Sequence, residues 1–252
     1  MIRVEELWKS FGHQEVLRGV SFAVQPGEFV ALIGLSGCGK SLLLKHLVRL
    51  VNPEGGRVWV DGQELGKLNN GDLERLRSRI GFVFQGGALF DSMTVFDNVA
   101  FPLREKTRLA EAEIRRKVTE ELELVGLREA EDKLPGQLSG GMVKRVALAR
   151  TLVRDPEIVL FDEPTTGLDP VVSSAMLDLF GSVHQRLNLT GILVSHEVPR
   201  IFDIVQKVAM LHEGRIIAFA PPDQLETSPD PVVRQFLSAS VHPHSAFRTP
   251  TS

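Results

Sequence analysis

The fold of this chain is decided by one stretch of its sequence, Phe29-Val30-Ala31-Leu32-Ile33-Gly34-Leu35-Ser36-Gly37-Cys38-Gly39-Lys40-Ser41. Its first five residues are apolar without alternation, which is typical of a parallel strand covered on both faces of an α/β sheet. The glycine-rich part that follows fits the pattern GxxxxGK[ST]. Residues 41–50 are leucine-rich without a helix breaker and predict a helix. The stretch therefore predicts an α/β fold with a glycine-rich loop between a buried strand and a helix.

The glycine-rich loop predicts a binding site for nucleotide phosphates. Its glycines let the backbone N–H groups point inward, where they and the helix N-terminus hold phosphate oxygens. Lys40 would reach the β- and γ-phosphates, and the hydroxyl of Ser41 would coordinate magnesium. Cys38 is interpreted as a small residue without a chemical role, and the alternative for the whole loop is a chance glycine-rich turn. The predicted ATP-binding residues of the loop are Gly34, Ser36, Gly37, Cys38, Gly39, Lys40, Ser41 and Leu42.

Two more apolar runs end in residues suited to catalysis. The first, Ile158–Phe161, leads into Asp162 and Glu163, and the second, Gly191–Val194, leads to His196. Open α/β sheets bind ligands at the carboxyl ends of their strands, so these side chains are expected at the edge that carries the phosphate loop. We expect Asp162 to bind magnesium, Glu163 to polarise the attacking water and His196 to contact the γ-phosphate or that water. Taken singly, a helix cap and a structural histidine are the simpler alternatives.

The remaining patterns predict one domain with an insertion. A hairpin is expected around Asp61-Gly62, a strand at Ile80–Phe84, and helices near 110–125, 141–153 and 170–187. We assign residues 1–239 to this domain, and the polar remainder, 240–252, to an irregular tail. Within the domain the core is expected at about 1–87 and 153–225, and a helical subdomain at about 88–152.

Composition limits the classes of partner and compartment. The 252 residues hold 29 basic and 32 acidic side chains, so no nucleic-acid partner is expected. The apolar runs are shorter than the ~20 residues that cross a bilayer, and the N-terminal residues do not resemble a secretory signal. A single cysteine excludes an internal disulfide, which favours a reducing cytoplasm.

A second glycine-rich segment, Leu138-Ser139-Gly140-Gly141-Met142, also opens a predicted helix. One ATP does not need two such anion sites from one subunit. The segment resembles the LSGGQ signature of ABC ATPases, which pair head to tail so that one subunit's signature covers the ATP held by the other. The resemblance implies a RecA-like P-loop ATPase core with an N-terminal antiparallel β subdomain and an inserted α-helical signature subdomain. It also implies ATP and Mg²⁺ as ligands, and a homodimer on ATP binding.

The resemblance can be carried over position by position. Phe11 stands where an aromatic side chain stacks on adenine, although tyrosine is commoner there and this chain has none. Gln85 matches the glutamine that senses magnesium and the attacking water. Asp169 matches the aspartate that communicates across the dimer, and His196 matches the switch histidine. Because Glu163 is retained, the resemblance implies a hydrolysing site. The predicted contacts to the partner's ATP are Ser139, Gly140 and Gly141.

A narrower resemblance begins at Gly87-Ala88-Leu89-Phe90-Asp91-Ser92-Met93-Thr94-Val95-Phe96-Asp97-Asn98-Val99-Ala100-Phe101-Pro102-Leu103-Arg104-Glu105. This segment, Met142, residues 230–237 and Phe247-Arg248 are similar to MlaF-type ATPases of Mla and Mce lipid transport systems. The resemblance implies phospholipid transport for outer-membrane lipid asymmetry, at the cytoplasmic face of the inner membrane. The implied partners are an MlaE-like permease, an MlaD-like MCE lipid-binding subunit and an MlaB-like STAS regulator.

Three alternatives to this narrower interpretation stay open. Residues 164–169 have the general ABC form, from which close MlaF proteins often differ, so another Mce-type lipid importer is possible. A soluble ABC ATPase without a transport role would carry the same nucleotide motifs. The segment after Gln85 could also be the ordinary coupling surface of any ABC importer. In the tail, His242 and His244 are interpreted as solvated side chains and not as metal ligands.

Overall fold

The computed structural model describes residues 2–198 and 200–241. The strands of these residues are β1 (Ile2–Phe11), β2 (Gln14–Val24), β3 (Phe29–Ile33), β4 (Gly55–Val60), β5 (Gln63–Glu64), β6 (Ile80–Val83), β7 (Ile158–Asp162), β8 (Thr190–Val194), β9 (Lys207–His212) and β10 (Arg215–Ala220). The α-helices are α1 (Lys40–Leu47), α2 (Asn70–Arg77), α3 (Val95–Lys106), α4 (Glu111–Leu124), α5 (Gly140–Leu152), α6 (Pro170–Leu187), α7 (Pro222–Glu226) and α8 (Pro231–Val241). The predicted α/β class is therefore confirmed.

Most predicted elements lie where the sequence placed them. Strand β3 and helix α6 have the expected bounds, and the hairpin around Asp61-Gly62 is formed by β4 and β5. Helix α1 ends at Leu47 and not at Leu50, since Arg49 has a left-handed φ of 52°. Helix α8 extends to Val241, past the predicted start of the tail, and His242, His244 and Phe247-Arg248 lie outside the described residues.

The chain divides into two compact units. The first contains the residues up to Leu68 together with those from Ile192 onward, and the second contains Asn69–Gly191. The division falls inside strand β8. The expected bounds of the helical subdomain stay a prediction.

The first unit holds an antiparallel sheet of order β2-β1-β4-β5 and a second sheet part of order β10-β9-β3-β8. Strand β3 is buried at all five positions and pairs in parallel with β9, from Val30 opposite Lys207 to Ile33 opposite Met210. Arginine side chains cover the two tryptophans of the antiparallel sheet. The guanidinium of Arg3 lies 4.2 Å from the ring centroid of Trp59, and that of Arg215 lies 5.9 Å from Trp8.

The second unit holds the paired strands β6 and β7 and the helices α2 to α6. Strands β6 and β7 run parallel, with Val83 opposite Phe161. The ring of Phe161 packs 4.8 Å from that of Phe180 on α6. No helix among the described residues is long and apolar enough to cross a lipid bilayer.

The buried side chain of Asn98 holds part of the loop between β6 and α3. Asn98 has no exposed surface, and its Oδ1 accepts a hydrogen bond of 2.8 Å from the backbone N–H of Phe90. Its amide nitrogen lies 3.0–3.1 Å from the carbonyl oxygens of Phe90, Met93 and Thr94. Because a buried amide must keep its hydrogen-bond partners, Asn98 holds the part of this loop from Phe90 to Thr94 in place.

We predict that Asn98→Ala destabilises the protein by about 2 kcal/mol, because it leaves buried backbone groups without their partner. Thermal unfolding of the full chain measures this effect. The exposed Asn70 provides the control, and Asn70→Ala should leave the midpoint unchanged. Equal midpoints for the two variants would contradict the role of Asn98.

Glu121 on α4 is half-buried, and one oxygen of its carboxyl group is buried. This oxygen, Oε2, has no hydrogen-bond partner in the described part of the chain. Burial, and then the nearby charge of Asp155, raises the pKa of this carboxyl from the ordinary 4.5 to about 7. The folded state therefore favours the protonated form. The contribution of Glu121 to stability is best below pH 4.5, falls as the pH rises toward about 7, and is least favourable above that.

We predict that Glu121→Gln stabilises the protein by about 1 kcal/mol at pH 8, and by much less at pH 5, because it removes an ionisation that the fold disfavours. Unfolding midpoints at the two pH values measure the difference. The exposed Glu129, which is not among the charges that shift this pKa, supplies the control Glu129→Gln. A gain that does not depend on pH would contradict this account.

Candidate functional site

The predicted phosphate loop leaves β3 at a position that only glycine can occupy. Gly34 has a φ of 148°, and a Cβ on it would overlap the backbone carbonyl oxygen of Leu211 on β9. Gly37 and Gly39 also have positive φ values, of 78° and 106°. The loop therefore curls back at once and enters α1, which begins at Lys40.

Lys40 stands at the end of the loop, and its side chain reaches back across the loop to its first residues. Its side chain is buried, with 4% exposed, and its ammonium donates to the carbonyl oxygens of Gly34 and Leu35, both at 2.9 Å. This places a positive charge inside the ring of backbone formed by the loop. A charge at that place can meet the β- and γ-phosphates of a nucleotide. Ser41 follows as a half-buried residue of the first helical turn.

Phe11 and His196 belong to the same unit as the loop. Phe11 ends β1 and is 56% exposed, and the ammonium of Lys9 lies 5.3 Å from its ring centroid. The hairpin of Phe11 continues into β2, whose Val16 lies against Gly39. Such an exposed ring can stack on a base.

His196 lies beside the end of β3. The backbone N–H of Ser195 donates to the carbonyl oxygen of Leu32 at 3.4 Å, which joins the carboxyl ends of β8 and β3. The Oγ of Ser195 accepts from the N–H of Glu197 at 3.0 Å and so fixes the turn. His196 itself is exposed at the edge from which the phosphate loop departs. The carboxyl ends of β3 and β8 therefore lie together within the first unit, which supports the expected position of His196 near the phosphate loop.

Asp162, Glu163 and Gln85 lie in the second unit, at the ends of paired strands. Asp162 is 7% exposed and is the last residue of β7, and Glu163 follows with a left-handed φ of 45°. That conformation costs a non-glycine residue about 1–2 kcal/mol and is frequent at functional sites. The carboxylate of Glu163 accepts from the hydroxyl of Thr166 at 3.2 Å. Gln85 lies two residues beyond Val83, as Glu163 lies two beyond the paired Phe161.

The signature segment packs against the start of α6. Ser139 caps α5, and its Oγ accepts from the N–H of Met142 at 3.3 Å. A Cβ on Gly141 would lie 2.6 Å from Cγ1 of Val172, so a larger residue does not fit. Asp169 caps α6, and its Oδ1 accepts from the N–H groups of Val171 and Val172 at 3.0 Å. Ser139, Gly140 and Asp169 are exposed and therefore accessible to a partner.

Sequence reasoning missed two cations that support this unit. Lys144 and Arg150 on α5 donate to backbone carbonyl oxygens of the loop that begins at Gln85. Burial lowers the pKa of both side chains. Helix α5 has buried residues on every side, so its periodicity gives no signal that singles out a buried lysine.

The residues predicted to hold magnesium have suitable chemistry. Ser41, Gln85 and Asp162 offer a hydroxyl, an amide and a carboxylate oxygen, and oxygen atoms are the ligands that Mg²⁺ prefers. The described residues contain no cluster of three or more histidine, cysteine or acidic side chains that could hold a metal ion. A magnesium ion bound here would take the remaining ligands from phosphate oxygens and water. The assignment of these residues as ligands stays a prediction.

Several known proteins are similar in sequence to this chain over most of its length. A family model described as "ABC transporter" matches residues 17–166. The chain is 44% identical over 237 residues to "Probable ribonucleotide transport ATP-binding protein mkl" of Mycobacterium leprae, covering 94% of this chain and 68% of that protein. It is 40% identical over 250 residues to "Intermembrane phospholipid transport system ATP-binding protein MlaF" of Haemophilus influenzae, covering 99% of this chain and 95% of that protein.

A solved structure agrees with the fold. The ATP-binding cassette MJ0796, in a dimeric post-hydrolysis state bound to ADP and Pi, is 30% identical in sequence with a TM-score of 0.80. The alignment covers 88% of this chain and 99% of that one. The RecA-like core, the antiparallel β subdomain and the inserted helical subdomain expected from the sequence are thereby confirmed. The chain belongs to the ABC transporter family, as an ATP-binding subunit that hydrolyses ATP.

Proposed function

We propose that this chain drives phospholipid transport as a homodimeric ATPase at the cytoplasmic face of the inner membrane. The observation that carries the proposal is the similarity to MlaF of Haemophilus influenzae over 99% of this chain and 95% of that protein. The alignment spans nearly all of both proteins. The similarity therefore includes segments that differ among ABC ATPases as well as the shared nucleotide motifs. The proposed partners are an MlaE-like permease, an MlaD-like MCE subunit and an MlaB-like STAS regulator.

Each nucleotide would be held by groups from two copies. Phe11 would stack on adenine, and the loop amides and Lys40 would bind the phosphates in one copy. The partner copy would supply Ser139 and the backbone of Gly140 and Gly141. Bound Mg²⁺, held by Ser41, Gln85 and Asp162, would neutralise charge on the phosphates. The exposed position of Ser139 and Gly140 at a helix N-terminus supports this assignment.

Hydrolysis would proceed by in-line attack of water on the γ-phosphorus. A new P–O bond forms to the water oxygen while the bond to the bridging oxygen of ADP breaks. The Glu163 carboxylate would orient the water and accept its proton, and Gln85 and His196 would hold the water and the γ-phosphate in line. The fixed position of Glu163, through Thr166 and its left-handed backbone, supports this role.

We predict that Glu163→Gln lowers kcat by at least about 100-fold, because the amide cannot accept the proton. ATP binding should persist, and the variant should accumulate as a closed dimer in gel filtration with ATP. The exposed Glu226 on α7 provides the control Glu226→Gln, which should turn over ATP as the parent protein does. Undiminished hydrolysis by Glu163→Gln would remove Glu163 from the mechanism.

A relative at 44% identity bears a name that specifies ribonucleotide transport, which makes ribonucleotides the second candidate cargo. The two candidate cargoes require different transport paths through the membrane complex. Phospholipid needs an apolar path, whereas a ribonucleotide needs a polar one. The purified membrane complex that contains this chain can decide between them.

We predict that ATP hydrolysis by the purified complex, reconstituted in nanodiscs, depends on phospholipid composition and does not respond to added ribonucleotides. Mass spectrometry should identify phospholipid bound to the complex. A complex stimulated by a ribonucleotide, with no bound lipid, would support the alternative cargo. Purification without any membrane subunit would instead favour an ABC ATPase that has no transport role.

A further inference from the structure

Helix α5 is fastened to the loop after β6 by two side-chain cations. The ammonium of Lys144 donates to the carbonyl oxygen of Gln85. Six residues later, the guanidinium of Arg150 donates to the carbonyl oxygens of Gly87 and Ala88, both at 2.7 Å. Three carbonyl groups of one short loop are thus held by one helix.

The backbone between these bonds lies directly on the helix. A Cβ on Gly87 would be 3.2 Å from Cγ1 of Val143 and 3.6 Å from Cβ of Ala147. Gly87 and Ala88 both have left-handed φ values, of 75° and 51°. The left-handed conformation disfavours Ala88 by about 1–2 kcal/mol, so bonds to its carbonyl group help to hold the turn.

Lys144 lies in an unusual environment for a lysine. Its side chain is 8% exposed, and no carboxylate among the described residues lies within ion-pair distance. Loss of hydration lowers its pKa. A buried cation costs stability, and an apolar side chain would fill the same space at lower cost. The benefit of Lys144 therefore lies in the group that it holds.

The held group is the backbone of Gln85, whose own side chain is exposed. Helix α5 begins at the signature, where Ser139 caps it. The same helix thus carries at its start the segment proposed to contact the partner's ATP, and on its side the cation that fixes Gln85. A movement of the signature on engaging nucleotide would be transmitted through the rigid helix to Gln85.

We propose that Lys144, assisted by Arg150, is a positioning residue that sets Gln85 according to the position of the signature helix. The inference rests on the proposed function, because it takes Gln85 to act on the magnesium and water of its own subunit. Lys144 contacts neither nucleotide nor water in this scheme. It acts through the carbonyl group of Gln85, and Arg150 fixes the next turn of the same loop.

The first test replaces the charge by an apolar chain of similar length. We predict that Lys144→Met lowers kcat about 10- to 100-fold, as expected for a displaced catalytic group. Affinity for magnesium-free ATP should stay within about twofold, since the phosphate loop is unaffected. The apparent Mg²⁺ concentration for half-maximal hydrolysis should rise several-fold. Lys144→Arg should restore most of the activity, and Lys106→Met, which removes an exposed lysine of α3, serves as the control.

The decisive measurement combines Lys144→Met with Gln85→Ala in the full chain, assayed with any membrane subunits that purify with it. If Lys144 acts through Gln85, the double variant should have the kcat of Gln85→Ala alone. Independent losses that multiply would overturn the inference, and so would an unchanged Mg²⁺ dependence in Lys144→Met. Should Gln85→Ala hydrolyse ATP normally, the proposed role of Gln85 fails first, which separates the two hypotheses.

Arg150→Lys gives a second approach in case Lys144→Met does not fold. Lysine keeps the charge but cannot donate two parallel N–H groups to the carbonyls of Gly87 and Ala88. We expect Arg150→Lys to lower kcat less than Lys144→Met does. When it is combined with Gln85→Ala, Arg150→Lys should cause no further loss of kcat. A loss of thermal stability with unchanged kcat and Mg²⁺ dependence, in both variants, would assign these residues a structural role only.

Discussion

Burial of whole strands is the constraint on which this structure depends. Strands β3, β7 and β8 are buried at every position, so they can carry almost no polar side chain before they end. Asp162, the last residue of β7, is the only charged residue of that strand and is itself buried. Chemistry is thereby confined to strand ends and the loops that leave them, and the phosphate loop, Glu163 and His196 all occupy such positions.

The same constraint explains how much could be predicted from the sequence. An unbroken apolar run followed by glycines or carboxylates is a local signal, so β3, the phosphate loop and the Asp162-Glu163 pair could be assigned directly. Helix α6 could be assigned because apolar spacing and Pro170 define it locally. The four-stranded antiparallel sheet was harder to predict from the sequence. Strand β1 contains register shifts, and its pairing with β4 joins residues that are distant in sequence.

Contacts that exist only after folding were beyond sequence reasoning. Lys144 looks like an ordinary surface lysine in a helix, and only the packed loop shows that it is buried. Asn98 likewise lies in a segment that could be recognised by resemblance, but its bonds to the 90–94 loop depend on the path of that loop. Steric need for glycine at Gly141 follows from Val172, which lies thirty-one positions later in the chain.

Both tryptophans of the chain, Trp8 and Trp59, lie in the antiparallel sheet, and the chain has no tyrosine. Ultraviolet emission excited in the indole band therefore originates entirely from the first unit. Circular dichroism in the far ultraviolet, by contrast, is dominated by helices, and most helices of residues 2–198 and 200–241 belong to the second unit. Tryptophan fluorescence and circular dichroism therefore report on different units. If their thermal unfolding transitions coincide, the two units unfold cooperatively, and if the transitions separate, the units unfold independently.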